Sequence, residues 1–142
     1  MDVVIVGFGL IGGSLGAAIR QRALGVVTAI DRAEVVESAP ARVVADRCVD
    51  VADDEAAGAA LRRADLVVLA TPVCSILAAL PAVLAVAPVV TDCGSTKRAI
   101  ARCAAGQARV GRFVPAHPMA GAPVGGLARA RPDLFVGRRW IV

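Results

Sequence analysis

Apolar positions in this chain fall in short unbroken runs and not in strict alternation. Residues 3–6 (VVIV), 26–30 (VVTAI) and 65–70 (DLVVLA) are mostly β-branched or leucine and have no polar face. Runs of that length and type read as strands buried on both faces. Residues 88–92 (PVVTD) repeat the pattern, and residues 112–115 add a further short strand. Between the runs the spacing turns helical. Residues 10–20 predict a helix ending in a basic residue, and residues 33–41 a short helix closed around Pro40. Residues 53–63 predict an amphipathic helix whose acidic start and basic end complement its dipole. Residues 43–51 read as a weak strand and turn. Proline lacks the N–H a helix interior needs, so residues 73–86 predict two short helices broken at Pro81. A turn at Gly137 leads into a last strand at 139–142.

Strands alternating with helices predict an α/β fold: a doubly wound, mostly parallel sheet with helices on both faces. The length, 142 residues, suits one domain with a sizeable core. The chain is 57% hydrophobic but only 3% aromatic, so that core is made of Val, Leu, Ile and Ala. Such a composition fits a covered parallel sheet.

Residues 66–91 carry no charge over 26 positions, enough to span a bilayer. Pro72, Pro81 and Pro88 divide this stretch into pieces of strand and helix length, and a strand–helix–strand unit explains it better than a membrane span. The chain opens directly into a strand, so no signal peptide is expected and the expected setting is the cytoplasm. The net charge is +4, yet the arginines are scattered, with no lysine run and no aromatic platform for bases. That argues against a nucleic-acid partner and modestly favours anionic small ligands. Cys48, Cys74, Cys93 and Cys103 form no C-x-x-C pair and have no histidine nearby. They read as small buried or semi-buried residues, with no metal site.

The candidate chemistry begins where the first strand ends. Gly7, Gly9 and Gly12 fall in the spacing G-x-G-x-x-G between a strand and a helix, the context of the Rossmann dinucleotide fingerprint. Gly7 allows the tight turn, Gly9 lets backbone approach a pyrophosphate, and Gly12 lets helix and strand pack closely. Phe8, Leu10 and Ile11 complete the loop and offer backbone N–H groups at the helix N-terminus. Asp31 ends the second strand, 24 positions after Gly7, near the ~20-residue offset of the carboxylate that binds the adenine ribose. A carboxylate there favours NAD, while Arg32 beside it keeps NADP open. The competing reading of Asp31 is a helix N-cap. Ligands of such sheets lie across the carboxyl ends of the strands, which places Ala70, Thr71 and Pro72 in the cleft.

The fourth strand runs into Cys93-Gly94-Ser95-Thr96-Lys97, a second glycine turn with hydroxyls. Helix capping by Ser95 or Thr96 is the competing reading there. His117, the single histidine, follows a strand at the edge where the cleft should lie.

Together these pieces resemble the prephenate/arogenate dehydrogenase family. The matching segments are GFGLIGGSLG at 7–16, Asp31, DLVVLATPV at 65–73, VVTDCGSTK at 89–97, FVPAHPMAG at 113–121 and DLFVGRRWIV at 133–142. The resemblance implies that residues 1–142 are an N-terminal nucleotide-binding domain. A helical domain that dimerises and completes the site would follow it in the family. The implied reaction is NAD-dependent oxidative decarboxylation of prephenate or arogenate in tyrosine biosynthesis. His117 would take the ring hydroxyl proton, Ser95 would orient that hydroxyl and His117, and Gly94 would join the cofactor contacts. Lys97 would hold its turn or add positive potential. The helical domain would supply the arginine for the substrate side-chain carboxylate, so residues 1–142 alone should bind NAD with little turnover, and a homodimer is expected only with that domain. An apolar patch near 113–142 would follow from its loss. Many relatives carry a glutamate two residues after the glycine of H-P-M-A-G, where this chain has Pro123. The alternatives are a stand-alone NAD(H)-binding regulatory module and another dehydrogenase of the wider 3-hydroxyacid type.

Overall fold

Each predicted apolar run forms a strand of one sheet in a computed structural model describing residues 1–142. β1 (Asp2–Val6), β2 (Val26–Asp31), β3 (Arg47–Asp50), β4 (Leu66–Leu69), β5 (Val90–Asp92) and β6 (Phe113–Pro115) lie in the order β3-β2-β1-β4-β5-β6. Every neighbouring pair is parallel. The direction of winding reverses between β1 and β4, the switch point at which such sheets open a crevice. The register places Val6 beside Ile30 and Leu69, so β1, β2 and β4 end together at that crevice.

The solid apolar runs are explained by cover on both faces. Val3 and Ile5 point to one side, with Phe8, Ile19, Val36 and Ala41. Val4 points to the other, with Ile76, Leu80, Leu84 and Ile100. The first layer is built by α1 (Leu10–Gln21), α2 (Ala33–Val36) and α3 (Ala39–Val44). The second is built by α4 (Asp54–Arg63), α5 (Val73–Val86) and α6 (Lys97–Ala105). Asp53, expected inside α4, stands just ahead of it as its cap, accepting the Ala56 N–H at 2.9 Å. No helix is long and apolar enough to cross a membrane.

Four expectations are corrected. Residues 73–86 form one helix with Pro81 inside it, not two helices. Pro81 cannot donate to the Leu77 carbonyl, and the Cys103 thiol approaches that oxygen at 3.8 Å instead. The buried side chains of Ile76, Leu80, Val83 and Leu84 hold the two halves in line. Residues 33–41 contain two short helices, because Pro40 starts α3 and does not close α2. Proline is tolerated in a first turn, where its missing N–H would have been unpaired, and Ser38 caps the helix. The weak strand at 43–51 shortens to β3, since α3 runs on to Val44. Cys48 and Cys74 are exposed thiols, not buried ones.

The last strand is displaced from the main sheet. β7 (His117–Pro118) pairs antiparallel with β8 (Trp140–Ile141) in a separate two-stranded ribbon. A turn at Leu127–Arg129 leads back over α1, where the buried Ser14 hydroxyl accepts the Arg131 N–H at 3.0 Å. Met119, Val136, Trp140 and Ile141 leave an apolar surface at this end.

Candidate functional site

At the end of β1 the chain turns through Gly7, whose φ of +92° lies in the left-handed region. A Cβ there would also strike Thr71 at 2.6 Å. A Cβ at Gly12 would come within 2.0 Å of the Gly7 carbonyl, so close helix–strand packing requires that glycine. Gly9 differs from both. A Cβ at Gly9 meets nothing within 4 Å, so no contact inside the protein demands a glycine there. The space beside it belongs to an open cleft.

That cleft has a volume of 740 Å³ and is walled by the ends of β1, β2 and β4. Gly7, Gly9, Asp31, Arg32, Ala70, Thr71 and Pro72 line it, as the sequence predicts. Two observations show that its walls fit a polar, anionic ligand. The Thr71 hydroxyl is buried with no hydrogen-bond partner in the protein; an orphan of that kind costs roughly 1–3 kcal/mol until something pairs with it. The first-turn N–H groups of Leu10, Ile11 and Gly12 are also without partners, and no side chain caps α1. A 12-residue helix ending on free donors beside a glycine loop suits a pyrophosphate.

Asp31 does not cap α2, whose N-cap is Arg32. Its Oδ2 accepts the Phe8 N–H at 2.6 Å and its Oδ1 accepts the Arg32 N–H at 2.8 Å. The carboxylate therefore ties β2 to the glycine loop, using two of its roughly four acceptor sites. The Arg32 guanidinium stands 2.8 Å from Glu34 and is largely exposed. Against the sequence expectation, Phe8 has no N–H to offer a ligand: that group is spent on Asp31, and its ring is fully buried in the core. Leu10 is likewise buried.

Gly94 is placed differently from the sequence expectation. It is buried, its N–H is spent on Asp92 Oδ2 at 2.8 Å, and a Cβ would hit Ile100 at 2.6 Å. Packing explains this glycine, and it is not part of the cleft wall. Ser95 and Thr96 are exposed, and α6 starts without a side-chain cap, so capping does not account for their hydroxyls.

His117 lies beyond β6, on the same carboxyl edge but outside the 740 Å³ cleft. Its Nδ1 is 3.0 Å from the Cys93 carbonyl. A carbonyl only accepts, so Nδ1 carries a proton, and in the neutral imidazole the lone pair is then on Nε2. Cys93 thus orients the imidazole, and no hydrogen bond joins it to Ser95. Burial, with the Asp92 carboxylate adding to it, pushes the Cys93 thiol up to about 12, so its side chain stays protonated.

The peptide before His117 is gripped from both sides. Asp92 Oδ1 accepts the Ala116 N–H at 3.3 Å, and Lys97 Nζ donates to the Ala116 carbonyl. Asp92 and Lys97 meet each other at 2.5 Å. Sequence reasoning missed Asp92 as an organiser, although it is the lone charge ending an apolar strand. It also missed Ser75, Ala78 and Ala79, which line the cleft from α5. Their signal was present: three small residues at positions i, i+3 and i+4 on a helix otherwise rich in Leu and Val.

Comparison with known proteins agrees with this geometry. Residues 15–142 match the family model described as prephenate dehydrogenase, nucleotide-binding domain. A Synechocystis arogenate dehydrogenase is 31% identical with a TM-score of 0.82, over 99% of this chain and 49% of that one. A Corynebacterium glutamicum chain described as a candidate prephenate dehydrogenase is 33% identical with a TM-score of 0.79, over 98% and 43%. A prephenate dehydrogenase from Aquifex aeolicus, solved with hydroxyphenyl propionate and NAD+, shares the fold at 24% identity and a TM-score of 0.84, over 99% and 49%. The chain spans about half the length of these structures.

Proposed function

The chain belongs to the prephenate dehydrogenase family, through that family's nucleotide-binding domain, and from this we propose that it binds NAD for the oxidative decarboxylation of prephenate or arogenate on the route to tyrosine. The observation that carries the reading is the orientation of His117. Its Nδ1 proton is committed to the Cys93 carbonyl, which leaves Nε2 as a base at the carboxyl edge of the sheet.

Gly7, Gly9 and the free first-turn N–H groups of α1 would hold the pyrophosphate. Asp31 would meet the adenine ribose, and the unpaired Thr71 hydroxyl would meet the cofactor along β4. When bound, NAD supplies the hydride acceptor. His117 Nε2 takes the proton of the ring hydroxyl as the C–H bond on the same carbon breaks. The bond from the ring to its carboxylate then breaks, carbon dioxide leaves, and the electron pair enters the ring. The ring becomes a phenolate, and His117 returns the proton to its oxygen. The protein's work is positioning and the loan of one proton. Ser95, with its hydroxyl free, would orient the substrate hydroxyl. Residues 1–142 act here as one cofactor-binding unit of a cytoplasmic enzyme, and homodimerisation would depend on the helical domain implied by the resemblance.

The test has two parts. NADH is titrated into the chain and into His117→Asn, with equal affinities expected. Turnover is then measured on the chain joined to the remaining half of the Synechocystis relative, where His117→Asn should cost about 10²-fold or more in kcat. Equal turnover for both proteins would remove His117 from the chemistry and favour a nucleotide-binding module without catalysis.

A further inference from the structure

The segment that returns over α1 leaves an open groove against that helix. Leu15, Ile19 and Leu24 form one wall and Phe135, Val136 and Trp140 the other, around a volume of 500 Å³. That size lies within the range of roughly 300–1,000 Å³ typical of small-molecule sites. The groove shares no residue with the cofactor cleft. It lies along the C-terminal half of α1, a 12-residue helix about 18 Å long whose other end carries the glycine loop.

The polar side chains of the groove are donors only. Arg22 and Trp140 bring them, and no carboxylate lines the walls. The Arg22 guanidinium makes no ion pair, and the Trp140 indole N–H makes no hydrogen bond within the protein. Neither group can accept. The carbonyls that end α1 do not compete for them: those of Ala18, Ile19 and Arg20 already accept the N–H groups of Arg22, Leu24 and Ala23. The complement of such a lining is an apolar body with an anionic end.

The walls are held in place without a ligand. Leu24 is folded back beside Ile19 by Ala23, whose φ of +52° is uncommon for a residue with a Cβ. On the facing wall the Arg131 N–H is fixed to the buried Ser14 hydroxyl at 3.0 Å, and Leu134 is buried. The Phe135 and Trp140 rings stand 5.5 Å apart, and Trp140 is paired with Pro118 in the β7–β8 ribbon.

We propose that this groove is a second ligand site, which takes a monocarboxylate with an apolar body. The body lies between Ile19 and Leu24 on one side and the Phe135–Trp140 pair on the other, and the carboxylate meets Arg22 and the Trp140 N–H. A protein domain is a poorer match. One that completes the site of His117 must meet the carboxyl edge of the sheet, whereas Arg22 and Leu24 lie where β2 begins, at the opposite edge.

Trp140 is the single tryptophan and the chain has no tyrosine, so its emission reports on the groove. Octanoate is titrated into the full chain, with octan-1-ol and acetate as comparison ligands. Octanoate should shift the emission and bind about 5-fold more tightly than the alcohol, the scale of an exposed ion pair. Acetate, which has no body to bury, should not bind. Arg22→Gln should bring octanoate down to the affinity of the alcohol. Ala18→Leu, which fills the groove with a good helix former, should abolish binding of both. Circular dichroism checks that both variants keep the fold. No shift with octanoate, equal binding of acid and alcohol by the parent, or an acid preference that survives Arg22→Gln would each overturn the proposal. Sedimentation tests the other occupants. A dimer whose Trp140 emission is already blue-shifted and does not respond to octanoate would give the groove to a second copy. Octanoate binding that vanishes when the chain is joined to the remaining half of the Synechocystis relative would give it to a following domain. Either result also overturns the proposal.

Discussion

The Lys97 ammonium lies 2.5 Å from Oδ2 of Asp92, a carboxylate with no solvent exposure. Around this pair the turns after β5 and β6 are joined: Asp92 holds the Gly94 and Ala116 N–H groups, and Lys97 holds the Ala116 carbonyl. Lys97→Met would leave the Asp92 charge buried with only two backbone donors. Breaking a buried pair by removing one partner costs about 3 kcal/mol at the low end, and the partial exposure of Lys97 favours that end. Urea unfolding should show a lower midpoint with an unchanged slope. Because Ala116 precedes His117, the same variant should lower kcat in the joined enzyme while NADH affinity holds. A midpoint equal to that of the parent would show that the pair carries no load.

The three glycines of the loop should separate by experiment. Gly12→Ala forces a Cβ to within 2.0 Å of a backbone oxygen, and overpacking of this kind costs at least 1–3 kcal/mol. Gly9→Ala meets nothing in the protein and should unfold within about 0.5 kcal/mol of the parent. Its methyl group would stand where the pyrophosphate should lie, so NADH affinity should fall about 10-fold. Unchanged NADH binding by Gly9→Ala would move the cofactor away from this loop.

The parts of this arrangement that the sequence made legible are those with local causes. The Gly7 turn, the acidic start of α4 and the solid strand runs each depend on a few neighbouring residues. Pro81 misled because its local rule is sound but weaker than packing: four buried side chains hold α5 together across the proline. The orientation of His117 was not legible, because its partner is a backbone carbonyl 24 positions away, and every residue has one. Gly94 resembled the glycines of a ligand loop, yet Ile100 and Asp92 fill the space beside it.

Cys93 makes stability depend on alkaline pH. Its thiol is raised from 9.0 to about 12 by burial, with the neighbouring Asp92 carboxylate adding to the shift. Above pH 9 the unfolded chain loses this proton while the folded chain keeps it. Stability should therefore fall as pH rises between 9 and about 12, by at most about 1.4 kcal/mol per pH unit. Below pH 9 the group contributes no slope. Denaturant titrations at pH 8, 9 and 10 should show this fall in the parent and a shallower one in Cys93→Ala. In the same folded protein iodoacetamide should label the exposed Cys48 and Cys74 before Cys93. Parallel pH profiles for parent and variant would mean that the thiol titrates normally.

On the proposed reading, Asp31 and Arg32 should together set the preference between the two nicotinamide cofactors. The Asp31 carboxylate lines the cleft and would repel a 2′-phosphate on the adenine ribose. The Arg32 guanidinium lines the same wall but stands 2.8 Å from Glu34, with its Nε 3.9 Å from Asp31. The parent should therefore prefer NADH. Asp31→Asn removes the repulsion and frees Arg32 to meet the phosphate, so NADPH affinity should rise about 10-fold relative to NADH. The substitution is structurally mild but not silent. An amide has one carbonyl oxygen, so it can keep the Phe8 N–H or the Arg32 N–H, and the bond it keeps is no longer charge-assisted. A stability loss of about 1 kcal/mol is expected. Fluorescence titrations with both reduced cofactors, on parent and variant, decide the matter. A parent that binds NADPH more tightly would reassign the specificity to Arg32 and leave Asp31 only the task of holding the glycine loop to β2.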